Sequence, residues 1–343
     1  MAKKTGNGAG TTNEGTMELN TPSDSQTWNR DRVVSLLIRN AMVLVLLVVI
    51  GYFSVQNDGF LTLMNLRTIL IAAAPFALIT LGQTLVILTG GIDLSVGSVI
   101  ALSAMTAAKY NVAHPKQIWL AIFIGIFVGL VAGAINGIVV SYLNVTPFIT
   151  TLGMLTIASG LAYVTGDGAP INGLADDWGN LANTTLFGFQ TPVYVMAAGF
   201  IILGIVMTKT TFGMRIYAVG GNRLASEVAG VNPKRILMSV YCISGTLAGI
   251  SGVILSSRVI SGAPNLGQGY ELSAIAACVI GGASLVGGRG TVWGSFLGLF
   301  LIQTLKNGMD ILIIPDYWQR VISGVLIVAA VTVDMWAAKR LNR

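Results

Sequence analysis

Long stretches of this chain carry no charged side chain. No Asp, Glu, Lys or Arg falls between Arg39 and Asp58, Arg67 and Asp93, Lys116 and Asp167, Asp177 and Lys209, or Arg235 and Arg258. Each gap holds at least one helix of the ~20 apolar residues needed to cross ~30 Å of hydrocarbon. The Lys116–Asp167 gap holds two, broken at Tyr142-Leu-Asn-Val-Thr-Pro147, where Pro147 and its polar neighbours favour a turn. Only 10% of the 343 residues are charged and mean hydropathy is +0.76, whereas a soluble domain is about a quarter charged. The class is therefore an all-α, polytopic membrane protein.

Apolar windows and their breakers give about ten transmembrane helices. They fall at 33–55, 66–88, 93–109, 118–140, 148–165, 191–208, 236–257, 272–287, 291–306 and 317–336. The positive-inside bias orients them. With the N-terminus inside, most of the 20 Lys and Arg residues fall on the cytoplasmic side, leaving Arg67, Lys109, Lys116, Arg258, Lys306 and Arg320 outside. The loop 166–191, with Asp167, Asp176 and Asp177 and no base, then faces out, and the C-terminus is cytoplasmic. Residues 1–30 are rich in Gly, Thr, Asn and Ser without an apolar run and read as a disordered cytoplasmic tail. Residues 31–343 form the membrane domain. Cys242 and Cys278 lie in apolar segments and read as small buried hydrophobes. His114, the single histidine, has no partners for metal binding.

Pairing spans 2–5 with spans 7–10 gives an inverted repeat, an arrangement common in transporters. Gly-interrupted segments recur in both halves, Gly90-Gly-Ile-Asp-Leu-Ser95 before the third span and Gly281–Gly290 between the eighth and ninth.

The chemistry of the chain is sparse. No G-x-x-x-x-G-K-[ST] loop is present, and Gly287-Gly-Arg-Gly290 lacks the Lys and hydroxyl that would reach phosphate and Mg²⁺. No cofactor or metal site is expected in this chain. Ionisable groups for a proton relay are few. Two roles are open to Asp93: an N-cap at a cytoplasmic hairpin, or part of an irregular backbone that lines the path. Gln83, Thr84, Ser95, Ser98, Ser103, Asn136, Thr150 and Thr151 are polar and uncharged within spans. Singly each reads as an interhelical hydrogen bond. Together with Asp93, they suggest a mildly polar translocation path for hydroxyl-bearing solutes. Glu271 opens the eighth span near the outer face with Arg258 and Tyr270. It complements the helix dipole there or meets an external partner.

The loop 208–235 is the one basic, polar interruption, with Lys209, Arg215, Arg223, Lys234 and Arg235 against Glu227 alone. Within it Asn222 is an N-cap and Gly230 a C′ residue. Between them Leu224, Ala225, Val228 and Ala229 form an apolar stripe, with Arg223 and Glu227 opposite. A two-turn helix does not stand alone in water. It packs on its own spans or anionic lipid, or inserts into a soluble partner. Asn232 and Pro233 open the next helix.

Several motifs, in order, carry a resemblance: Gly82-Gln-Thr-Leu-Val-Ile-Leu-Thr-Gly-Gly-Ile-Asp-Leu-Ser-Val-Gly-Ser98, Thr146-Pro-Phe-Ile-Thr-Thr-Leu-Gly-Met154, Tyr217-Ala-Val-Gly-Gly-Asn222 and Gly269-Tyr-Glu-Leu-Ser-Ala-Ile-Ala-Ala277. From about residue 35 onward the chain resembles the bacterial monosaccharide ATP-binding-cassette permeases, subunits of ribose, xylose, arabinose and galactose importers. The resemblance implies a homodimer in the bacterial inner membrane, paired with a cytoplasmic ATPase that binds ATP and Mg and with a periplasmic sugar-binding protein. It further implies that Gly221, Asn222, Arg223, Leu224, Glu227, Val228 and Gly230 form the helix that docks on the ATPase. No nucleic-acid partner is expected. The alternative is a self-contained secondary carrier. A membrane-embedded enzyme lacks any nucleophile–base or metal constellation.

Overall fold

The computed structural model describes residues 41–325, together with 328 and 332. The expected tail 1–30, residues 33–40 of the first span, most of 317–336 beyond 325, and both termini lie outside the described residues. The helices are α1 (Ala41–Gln56), α2 (Leu63–Leu88), α3 (Val96–Ala113), α4 (Ile118–Ser141), α5 (Pro147–Thr165), α6 (Asp176–Asn183), α7 (Thr191–Lys209), α8 (Thr211–Gly221), α9 (Arg223–Val228), α10 (Pro233–Val259), α11 (Tyr270–Ile280) and α12 (Val292–Ile311). A further helical run covers 316–325. Among the described residues α2, α4, α5, α7 and α10 are long and apolar enough to cross a membrane.

Local signals set most helix ends. Thr62 accepts the Asn65 N–H to open α2. Asn144, at φ 55°, turns the chain between α4 and α5, and Pro147 starts α5. Asn232 accepts the Arg235 N–H at 3.2 Å and Pro233 follows as the first residue of α10. The loop 166–191 contains what the sequence pattern did not signal: α6, with Trp178 fully buried, and a short antiparallel hairpin of β1 (Thr185–Leu186) and β2 (Phe189–Gln190).

α2 is the central element, buried on every face from Ala73 to Leu88. α10 runs antiparallel beside it, with Ser244 against Gly82 and the Ser251 hydroxyl donating to the Pro75 carbonyl at 2.8 Å. The Gly281–Gly290 segment lies between α11 and α12, as expected. α11 itself ends at Ile280 instead of reaching 287, because Gly281 and Gly282 begin a turn-rich loop. Its 11 residues span about 16 Å at 1.5 Å per residue.

α4 crosses α10 at backbone contact. Gly129 and Gly133 face Gly245 and Gly249, and a methyl group on any of the four would meet the opposing backbone. Small residues permit such an approach.

Pro75 lies inside α2 and has no N–H to donate, so the Ile71 carbonyl loses its helical partner. Arg258 of α10 replaces it, its Nη1 donating to the Ile71 carbonyl at 3.3 Å. Neighbouring groups commonly re-satisfy a proline-freed carbonyl in membrane helices. Arg258→Met should therefore lower stability in detergent by about 1.5–3 kcal/mol, the range for a charged hydrogen bond. An unchanged unfolding midpoint for this variant would refute that role for Arg258.

Candidate functional site

The Gly90-Gly91 break does more than end a helix. After α2 the chain reverses and runs without regular structure through 91–95 before α3 begins. With its amide oriented to satisfy both groups, Gln83 donates to the Asp93 carbonyl (3.0 Å) and accepts from the Asp93 N–H (3.3 Å). This irregular segment therefore climbs back alongside the last turns of α2. Asp93 is 1% exposed. Its Oδ1 accepts from the Ser95 N–H (3.0 Å) and hydroxyl (2.6 Å), and its Oδ2 accepts from the Ser244 hydroxyl (3.0 Å). Ser244 lies about 16 Å along α10 from Pro233, at 1.5 Å per residue.

Asp93 is thus a buried brace, not the N-cap of a hairpin at the end of the bundle. Ser95 occupies the N-cap position of α3. A buried carboxylate needs hydrogen-bond donors to offset its lost hydration, and the hydroxyls of Ser95 and Ser244 supply them. Asn136 of α4 donates to the Ser95 hydroxyl at 2.9 Å. The Thr151 hydroxyl of α5 is 3.2 Å from the Ile92 carbonyl and 2.9 Å from that of Pro147. The Tyr241 ring of α10 places its hydroxyl over Gly91. One junction therefore gathers Gln83 from α2, Asp93 and Ser95 from the segment before α3, Asn136 from α4 and Thr151 from α5. Tyr241 and Ser244 complete it, and the sequence pattern did not single them out.

The other expected path residues lie apart. Thr84 faces α12, its hydroxyl 2.6 Å from the Thr80 carbonyl and 2.8 Å from Ser295 Oγ. Ser103 donates to the Gly125 carbonyl. Thr150, one residue from Thr151, is 9% exposed and lies outside the junction.

The loop 208–235 is built as an elbow of two helices. The expected short helix is present as α9, with Asn222 Oδ1 accepting the Ala225 N–H at 2.9 Å and Gly230 at φ 80°. Leu224 and Val228 are 75% and 92% exposed, so their side of the apolar stripe has no partner within the described residues. The preceding helix α8 carried no clear sequence signal. Its end packs against both glycine-rich breaks. A methyl group on Gly220 would collide with the Leu88 carbonyl, and the Gly288 N–H donates to that same carbonyl at 2.9 Å. The Tyr217 hydroxyl donates to the Gly290 carbonyl at 2.9 Å. The two Gly-rich segments thus touch each other and the elbow. An open cleft of about 410 Å³ lies between them, bordered by Thr89, Asn144, Thr146, Asn222 and Arg223.

Glu271 opens α11 as expected, with Oε1 accepting the Gly269 N–H at 3.2 Å. Its carboxylate also lies against Gly97 in the first turn of α3, so the starts of α3 and α11 meet. Tyr270 packs edge-on against Phe76, and the Lys306 ammonium is 5.8 Å from each ring centroid. Lys306 could have been noticed as a lone base in the apolar stretch 290–309, the usual mark of a functional ionisable group at membrane depth.

A protein-family profile described as "Branched-chain amino acid transport system / permease component" matches residues 65–331. The ribose import permease of Bacillus subtilis is 42% identical over 291 residues, covering 84% of this chain and 90% of the relative. The chain belongs to the bacterial monosaccharide import permease family. The galactose/methyl galactoside import permease of Haemophilus influenzae is 35% identical over 323 residues, covering 89% of this chain and 96% of that one. The L-arabinose transport system permease of Escherichia coli is 37% identical, covering 82% of this chain and 85% of the relative. No solved structure matches the chain significantly. The relatives are transport permeases, and this permease is a multi-pass membrane protein of their kind.

Proposed function

We propose that this chain is the membrane-spanning subunit of an ATP-binding-cassette importer for a monosaccharide, a pentose, hexose or related polyol. The observation that carries the reading is α9: a helix capped by Asn222 and ended at Gly230, with Leu224 and Val228 open to solvent. Such a face fits a groove in a soluble partner. The curated relatives, named as permeases for ribose, galactose and arabinose, support the substrate class.

In this reading the partner is a cytoplasmic ATPase, which holds ATP and Mg, and this chain holds no cofactor. Two copies of the permease, each with about ten spans and cytoplasmic termini, lie in the lipid of the bacterial inner membrane. A periplasmic binding protein delivers sugar to the outer end, where Arg258, Tyr270 and Glu271 lie. ATP-driven closure of the ATPase moves α9. The contacts of Gly220 with Leu88 and Gly288 carry that motion to both glycine breaks. The junction of Gln83, Asp93, Ser95, Asn136 and Thr151 is the closed section of the path.

Reconstitution in liposomes tests this directly. Labelled ribose, galactose, allose or arabinose should accumulate only when ATPase, ATP and binding protein are all present. Uptake by the lone chain under an ion gradient would instead establish the secondary-carrier alternative.

A further inference from the structure

Glu271 and Lys306 are half-buried ionisable groups that face the same cleft. Lys306 lies about 21 Å along α12 from Val292 and about 8 Å short of Ile311, at 1.5 Å per residue. α11 runs antiparallel to α12, with Gly281 beside Gly294 and Ala277 beside Gly298. Tyr270 and Glu271 therefore come level with Lys306. Neither charge is in an ion pair: among the described residues the one ion pair joins Arg320 to Asp316 at 2.8 Å.

Both groups line a cleft of about 540 Å³ together with Gln268, Tyr270 and Gln319, within the ~300–1,000 Å³ typical of small-molecule clefts. Gln268 and Glu271 also border a second cleft of about 170 Å³ that holds Ser98, Ser159 and Asn265. The two clefts share these side chains where α3 and α11 begin. Transporters place solute sites where discontinuous helices meet.

Charge balance selects the ligand class. Asp316 and Arg320 neutralise each other, and Glu271 offsets Lys306. The larger cleft therefore favours neither anion nor cation. Its polar groups alternate in function: an ammonium that donates, a carboxylate that accepts, and amides that do both. Adjacent hydroxyls, each donor and acceptor, match that set, and the Tyr270 ring offers an apolar wall to C–H groups.

We propose that the Glu271–Lys306 cleft is a polyol-binding subsite on the transport path. The proposal rests on the reading of this chain as a sugar permease, and the test separates the two. Ser323 lines the same cleft, so Ser323→Cys, with Cys242 and Cys278 replaced by alanine, reports access without removing either charge. The assembled transporter in vesicles is treated from outside with a membrane-impermeant thiol reagent, with and without D-ribose, D-galactose, D-allose or L-arabinose. One of the four should slow labelling about tenfold when present at ~10 times its Kd, by mass action. Adding Lys306→Gln or Glu271→Gln should abolish the protection, and Lys306→Arg should keep it.

Protection by a sugar supports the subsite whether or not ATP-driven uptake of that sugar is seen, and uptake alone judges the sugar-permease reading. Equal labelling rates with all four sugars overturn the proposal. So does failure of the reagent to reach the cysteine, protection that survives both glutamine variants, or protection by inorganic phosphate instead of sugar.

Discussion

Gly245→Leu is expected to disrupt the subunit more than any comparable change on its surface. A side chain at this position would meet the Gly129 carbonyl and lie 2.7 Å from Gly133 Cα. Both obstacles are backbone, so no rotamer change relieves them, and α4 must move away from α10. Overpacking of this kind costs about 1–3 kcal/mol and occasionally more. Separation of the helices would add the loss of the Asn136–Ser95 hydrogen bond and of the braces around Asp93. Gly153→Leu in α5 is the control, because nothing lies within 4 Å of that position. There a side chain removes the ~0.5–1 kcal/mol penalty of glycine within a helix. Thermal unfolding in detergent should show a large fall for Gly245→Leu and none for Gly153→Leu. Similar midpoints for the two would mean that the crossing is not tightly packed.

The second large effect falls on coupling rather than folding. Leu224 and Val228 are exposed in the isolated subunit, and surface substitutions of this kind usually change stability by under ~0.5 kcal/mol. Burying a Leu or Val side chain in a partner contributes about 1.5–3 kcal/mol, and each ~1.4 kcal/mol is tenfold in affinity. Leu224→Asp and Val228→Asp should each leave the permease folded, weaken its hold on the ATPase at least about tenfold, and uncouple ATP hydrolysis from uptake. Co-purification with the ATPase and the ratio of ATP hydrolysed to sugar carried are the readouts. Wild-type transport by both variants would remove α9 from the docking role.

Features governed by neighbouring residues were legible in the sequence. Asn222, Gly230, Asn232 and Pro233 mark helix ends through bonds to atoms within four residues, and Pro147 restarts the helix after the turn at Asn144. The helix α8 and the fold of loop 166–191 were less legible. α6 is short, and its anchor, Trp178, is buried by distant segments, its indole donating to the Ser256 hydroxyl at 3.2 Å.

Of the candidate site, the polar residues were legible but their grouping was not. Gln83, Asp93, Ser95, Asn136 and Thr151 stood out because polar groups are rare in such segments. Their convergence depends on Ser244 and Tyr241, which approach from α10. The same holds for the two acids that open short segments: Asp93 is buried in the junction, whereas Glu271 borders two clefts.

By itself, the sequence determined that the chain is helical and membrane-spanning, where most helices start and stop, and which loop carries a capped amphipathic helix. These follow from charge-free length and from local hydrogen bonds. Only the tertiary structure decided which helix is central, how deep Asp93 lies, and that the glycine breaks meet the elbow at Gly220. The physical reason is that lipid and protein interior are nearly the same solvent for an apolar side chain. The strongest apolar window of α2 has mean hydropathy 2.0 and is 83% buried, while that of α4 has 2.6 and is 28% buried. Hydropathy records the need to avoid water, and packing alone decides whether lipid or protein meets it.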